Sequence, residues 1–124
     1  MKFMTMVLSS EARERELGPP PQALIDAVGK LGEEATKAGI AVYMGGLRGT
    51  AAGAMIRLSA GEVLVTDGPF AEAKEVVGGY SMFEVASKEE AVAWAVRLME
   101  IHRVYWPVWE GACEVREVWG DAPE

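Results

Sequence analysis

Apolar and polar positions along the 124-residue chain fall into runs whose spacing changes from one to the next. Lys2 to Leu8 is apolar on both faces, with Phe3 and Val7 on one and Met4, Met6 and Leu8 on the other, which predicts a central strand. Glu11 to Pro21 is charged and proline-rich and reads as a connector. The run Pro19-Pro20-Pro21 can only precede a helix, because proline has no amide hydrogen and is tolerated in a first turn. Gln22 to Ala38 then carries Leu24, Val28, Leu31, Ala35 and Ala38 at spacings of three and four, a helix with Gly39 as its stop. Asp26, Lys30, Glu33, Glu34 and Lys37 mark its solvated face.

Ile40 to Met44 predicts a second strand, ended by Gly45-Gly46. It should run parallel to the first, because the helix is the link between them. After the small-residue loop Gly49 to Gly53, Ala54 to Leu58 and Glu62 to Thr66 flank Ser59-Ala60-Gly61 and read as a hairpin. Gly79 to Val85 is another strand. Ser87 and Glu90 form a capping box for a second helix, with Ala91, Ala95 and Leu98 on one face. Ala112 to Trp119 predicts the last strand, and 120–124 a short tail.

Without the hairpin, the order is strand, helix, strand, strand, helix, strand. That order predicts an α+β fold, a ferredoxin-like βαββαβ sandwich with an inserted β-hairpin, both helices on one face of an antiparallel sheet. The other face has no cover within the chain, so a second copy is expected to stack on it as a homodimer. No internal repeat interrupts the pattern, and the length suits a single domain over 1–124.

Composition narrows the function classes. Half the residues are hydrophobic and a quarter charged, the profile of a globular protein. The net charge of −7 opposes the phosphate attraction behind nucleic-acid binding and argues equally against an anionic membrane surface. The apolar start, Met4 to Leu8, is too short for a secretory core and leads into Glu11, Glu14 and Glu16, so a cytoplasmic location is expected. Cys113 is the single cysteine and reads as a buried, inert thiol. One histidine and one cysteine argue against a zinc site, and no cofactor is expected. No phosphate loop, nucleophile elbow or Ser-His-Asp order is present.

Candidate chemistry concentrates between Val63 and Tyr80. Asp67 ends an apolar run just before Gly68-Pro69, at the rim of a sheet where a ligand can reach it. Two readings stand side by side. Asp67 organises its own turn, or it serves as a base at a cleft. The usual turn partner, the amide two residues on, is lost to Pro69, leaving the amides of Phe70 or Ala71 or an outward position. A helical turn from Pro69 to Lys74 would put Asp67 beside its positive end and favour the ionised form. Lys74 and Arg48 are candidate cations for an anionic substrate, and Tyr80 a candidate hydroxyl at the cleft. The plainer alternatives are solvated Lys74, Arg48, Glu72 and Glu75, a packed Tyr80, and Phe70 as a core plug. Gly78-Gly79 would allow backbone conformations closed to other residues. His102 reads as a packed or capping residue near a helix end, and Tyr105, Trp106 and Trp109 as a lid or, preferably, a subunit contact.

The string Asp67-Gly68-Pro69-Phe70-Ala71-Glu72-Ala73-Lys74-Glu75, the Gly78-Gly79-Tyr80 after it and Ser87 to Ala95 resemble the YCII-related family, in the branch named for its DGPF motif. The resemblance implies a dimeric α+β barrel and a regulatory setting, since genes of that branch often neighbour sigma-factor genes. Some YCII proteins pair a histidine near the start of the first helix with an aspartate. Pro21 to Leu24 holds no histidine, so that dyad does not carry over. Three functions follow: an acid–base enzyme, a lyase or isomerase on a small organic substrate with Asp67 as base; a non-catalytic small-molecule-binding or regulatory module; or a structural dimer.

Overall fold

The computed structural model describes residues 1–70 and 75–120. Strand β1 (Lys2–Ser9) is followed by helices α1 (Glu11–Leu17) and α2 (Gln22–Lys37), strand β2 (Ala41–Gly46), a 3-10 turn (Thr50–Ala52), the hairpin β3 (Ala54–Ser59) and β4 (Glu62–Asp67), strand β5 (Val76–Glu84), helix α3 (Lys88–Tyr105) and strand β6 (Ala112–Glu117). The main sheet has the order β2-β5-β1-β6 and is antiparallel throughout, so β1 and β2 are parallel to each other with β5 between them. This is the α+β, ferredoxin-like arrangement that the apolar pattern predicts.

Alternation along β1 sorts the two sheet faces. Phe3 and Thr5 are buried, and Phe3 clusters with Phe83, Val85, Ala35 and Ala91 beneath the helices, with Trp94 and Val115 packed against it. Cross-strand partners share a face, so Ser81 and Gly79 of β5, paired with Thr5 and Val7, also look toward the helices. Met4, Met6, Met82, Tyr80 and Tyr43 look the other way. Nothing in the described chain packs over that second face as α2 and α3 pack over the first.

The helix ends follow local chemistry. Gly39, at φ 75°, closes α2: its amide donates to Thr36 O at 3.0 Å and that of Ile40 to Ala35 O at 3.1 Å. Ser87 Oγ accepts from the Glu90 amide at 3.2 Å to start α3, while the Glu90 carboxylate accepts from the Ala86 amide. The two long helices are tied by Arg97, whose Nη2 donates to Glu34 Oε1 at 2.9 Å and whose guanidinium lies 4.7 Å from the Trp94 ring centre.

The connector expected over Glu11 to Pro21 is instead mostly α1. Ser10 caps it by accepting from the Arg13 amide at 3.2 Å, and Gly18, at φ 82°, terminates it. The helix buries no residue, so hydrophobic periodicity carries no trace of it. Its positions are set by charge: Arg15 reaches Glu11 and Arg13 reaches Glu16.

Strands β3 and β4 form their own two-stranded sheet, with Ile56 opposite Val65 and Leu58 opposite Val63. These four side chains share one face and are between 61% and 76% exposed.

Candidate functional site

Two of the three carboxylates of α1, Glu11 and Glu14, stand one turn apart, and each reaches a different part of the molecule. Glu11 accepts from the Thr50 amide and hydroxyl, both at 2.6 Å, and these bonds hold its carboxyl below the usual glutamate range. Thr50 Oγ1 in turn accepts from the Phe70 amide at 3.1 Å. The amide of Gly68 donates to Gly53 O at 2.8 Å, and a Cβ on Gly68 would lie 1.6 Å from the Thr50 carbonyl oxygen. The Asp67-to-Phe70 turn is therefore bolted to the loop before β3, and through Thr50 to α1. Gly68 is required there by a close backbone approach, not by its own dihedral angles.

Asp67 itself is exposed at the end of β4 and its carboxylate makes no hydrogen bond or ion pair among the described residues. The Phe70 amide, one of its two candidate turn partners, is taken by Thr50. Arg48 is exposed in the loop after β2. Lys74 and most of the helical turn expected over Pro69 to Lys74 fall outside the described residues. Neither Asp67 nor Arg48 is among the residues lining the two hollows described below. Tyr80 is half-buried in β5 and belongs to the lining of the cavity described below, while its ring lies on the sheet face away from the helices, 5.4 Å from the ring centre of Tyr43. Its hydroxyl donates to Tyr43 Oη at 3.3 Å, and that bond, followed by desolvation, raises its pKa. A Cβ on Gly45 would lie 2.5 Å from the Tyr80 oxygen, so glycine leaves the space that the phenol crosses.

The other carboxylate, Glu14, faces a cavity of about 520 Å³ between the helix-covered sheet face and the helices. Its floor is small: Thr5, Ser81 and the glycines 45, 46, 78 and 79. None of these four glycines has a positive φ. The expectation that Gly78-Gly79 supplies a backbone conformation closed to other residues is thus corrected; what these glycines supply is room. Apolar walls come from Val7, Leu24, Ile25, Val28 and Leu98. A second hollow, along α2 and β2, presents only Glu33 and Lys37 as charged groups and gathers no comparable polar set.

At one end of the cavity four side chains converge. Glu14 accepts from the hydroxyl of Ser9 and, at 3.4 Å, from the indole Nε1 of Trp109. Trp109 also packs against His102 at an interplanar angle of 41°, with ring centres 4.6 Å apart. His102 Nδ1 lies 2.8 Å from the Leu98 carbonyl, which can only accept, so Nδ1 is the donor there and Nε2 is the nitrogen that bears the lone pair in the neutral tautomer. The expectation of a packed histidine near a helix end describes its attachment. Its ring also lines the cavity.

Trp106, the C-cap of α3, is buried and stacks on Trp109 at 6.3 Å, and both indoles wall the cavity. The aromatic segment thus begins on the helix and packs inward in this chain, and Tyr105 alone of the three is among its large exposed side chains. Among the described residues no three of His, Cys, Asp and Glu converge as metal ligands do. Cys113, on the helix side of β6, has its thiol pKa pushed up by burial.

Glu14, Ser9 and Trp109 are absent from the expected site residues. The signal that points to Glu14 is the cap Ser10 and stop Gly18 of a polar helix next to β1. Nothing in residue spacing links Glu14 to a tryptophan 95 positions away.

No helix among the described residues is long and apolar enough to cross a membrane. An uncharacterised protein of Rhizobium meliloti (strain 1021) is 50% identical over 46 residues, 37% of this chain. The match likewise spans 37% of that relative's length. A family model described as the YCII-related domain matches residues 1–119. That span takes in strands β1 to β6 and both long helices around the cavity, and the chain belongs to the YCII-related family.

Proposed function

We propose that the protein binds a small organic molecule in the cavity under α2 and α3 and moves a proton there, with His102 as acceptor. A mostly apolar hollow of several hundred cubic ångströms with a few convergent polar groups is the usual form of a small-molecule site. One observation carries the reading: the Leu98 carbonyl fixes Nδ1 as the donor, so that Nε2 is the proton-accepting nitrogen of the neutral tautomer on a ring that walls the cavity. A base needs both a fixed tautomer and access to its proton. Trp109 supports the arrangement by contacting His102 with its ring and Glu14 with its N–H. On this reading the acid–base chemistry expected of Asp67 belongs to His102.

The test is hydrogen–deuterium exchange into a panel of small carbon acids in D2O, followed by NMR. The expected result is exchange by the wild-type protein that falls about 10²–10⁴-fold in His102→Gln. Equal rates in the two proteins would remove His102 from the chemistry. Binding without exchange, seen as a ligand-raised melting temperature across the panel, leaves the module reading in which the same cavity senses a metabolite.

The homodimer belongs to the same proposal. Met4, Met6, Met82 and the Tyr43–Tyr80 stack form an open sheet face, and the hairpin adds Ile56, Leu58, Val63 and Val65. Leaving both wet is unfavourable, and a two-stranded ribbon alone is marginal in water. A second copy stacking on these surfaces accounts for both.

A further inference from the structure

We propose that this cavity, read as the small-molecule site above, takes an organic cation with a flat apolar body, such as an arylalkylammonium, rather than an organic acid. The charge balance of its lining supports this. Glu14 is the only carboxylate lining the cavity, and no lysine or arginine joins it among the described residues. Both donors that the carboxylate has, the Ser9 hydroxyl and the Trp109 N–H, are neutral. A carboxylate in an apolar recess with neutral partners alone attracts a cation and repels an anion, and the low dielectric of the recess strengthens both effects.

The walls fit the same ligand. Trp106 and Trp109 lie nearly parallel, with an interplanar angle of 18°, and offer π-faces beside the carboxylate. An ammonium against an indole face gains attraction that a carboxylate there would not. The glycine floor accommodates a flat body lying against the sheet. The net charge of −7 raises the local concentration of cations over the whole surface.

Three probes of one size separate the charge of the ligand from its shape: benzylamine, benzyl alcohol and benzoate, each titrated calorimetrically into the full chain at low salt. Benzylamine is expected to bind at least tenfold tighter than benzoate, with benzyl alcohol between them. Glu14→Gln should weaken benzylamine about tenfold and leave benzyl alcohol within twofold. Ile25→Lys, which places an ammonium on the cavity wall at a half-exposed position without touching Glu14, should likewise weaken benzylamine and strengthen benzoate. It serves as the deciding variant if Glu14→Gln melts more than a few degrees early. Benzoate binding as tight as benzylamine, a benzylamine preference that survives both substitutions, or no heat from any probe at millimolar concentration would each overturn the proposal. Proton exchange that depends on His102 alongside a preference for benzoate would overturn the charge assignment alone. A benzylamine preference without exchange would keep the assignment and remove the catalytic reading.

Discussion

The helix-covered face of the main sheet and the apolar face of the hairpin are built from the same kinds of residue and end in opposite environments. Phe3, Phe83 and Val85 are all but sealed under α2 and α3, while Ile56, Leu58, Val63 and Val65 stand mostly in solvent. On each face apolar side chains stand two positions apart along the chain, Phe83 and Val85 on the first and Ile56 and Leu58 on the second. The difference lies in what the chain provides opposite them. Two amphipathic helices return across the first face; among the described residues no element returns across the hairpin. Apolar side chains on one strand face therefore report that the face is meant to be covered, without reporting whether the cover comes from the same molecule.

The contrast can be broken most sharply by truncating one side chain in the core. Phe83→Ala removes a ring packed against Trp94, 6.2 Å between centres, and is expected to cost about 3–5 kcal/mol in urea unfolding. At the root of the hairpin, Gly68→Ala forces a methyl into the Thr50 carbonyl and should cost about 1–3 kcal/mol, with the loss seen in both the melting temperature and the urea midpoint.

Glu11→Gln weakens the bolt between α1 and Thr50 by replacing a charged acceptor, for about 1 kcal/mol at neutral pH. The folded-state pKa of Glu11 is lowered, chiefly by the Thr50 hydroxyl and amide. Its stabilisation is accordingly complete above about pH 4.3, the ordinary glutamate value, and is lost as the pH falls through the lower folded value. Wild-type and Glu11→Gln stabilities should converge below that point; a constant gap down to the acid transition would detach the effect from ionisation.

The smallest change in folding is expected for Leu58→Lys, within about 0.5 kcal/mol for the isolated chain, because the side chain is already 76% exposed. Its readout is association. Sedimentation should show the variant as a weaker dimer than the wild type if a second copy covers the ribbon, and an unchanged mass would leave the hairpin face without that partner.

Much of the fold was legible because long elements carry strong periods. The stop at Gly39, the box from Ser87 to Glu90 and the hairpin around Ser59-Ala60-Gly61 each have local causes, and each stands where those causes place it. Helix α1 escaped because it buries nothing, and a helix without an apolar face leaves only its caps to read. The site was less legible for a related reason. Asp67, Gly68, Pro69 and Phe70 draw attention as a dense motif, yet the contacts of Gly68 and Phe70 join a turn to Thr50. The groups gathered around Glu14 come from β1, α1, α3 and the segment after α3, and each alone is an ordinary residue in ordinary company. Their meeting is a property of tertiary distance, which no window along the chain contains.

Gly46 and Gly79 face each other across β2 and β5 on the side that looks toward the helices. An added methyl would meet nothing nearer than 3.8 Å at the first and 3.7 Å at the second. Alanine at either position would leave the strands in register and shrink the chamber they underlie. Capacity here is thus set by atoms the chain does not have, and two methyl groups would tune what the protein admits while its melting curve stayed almost where it was.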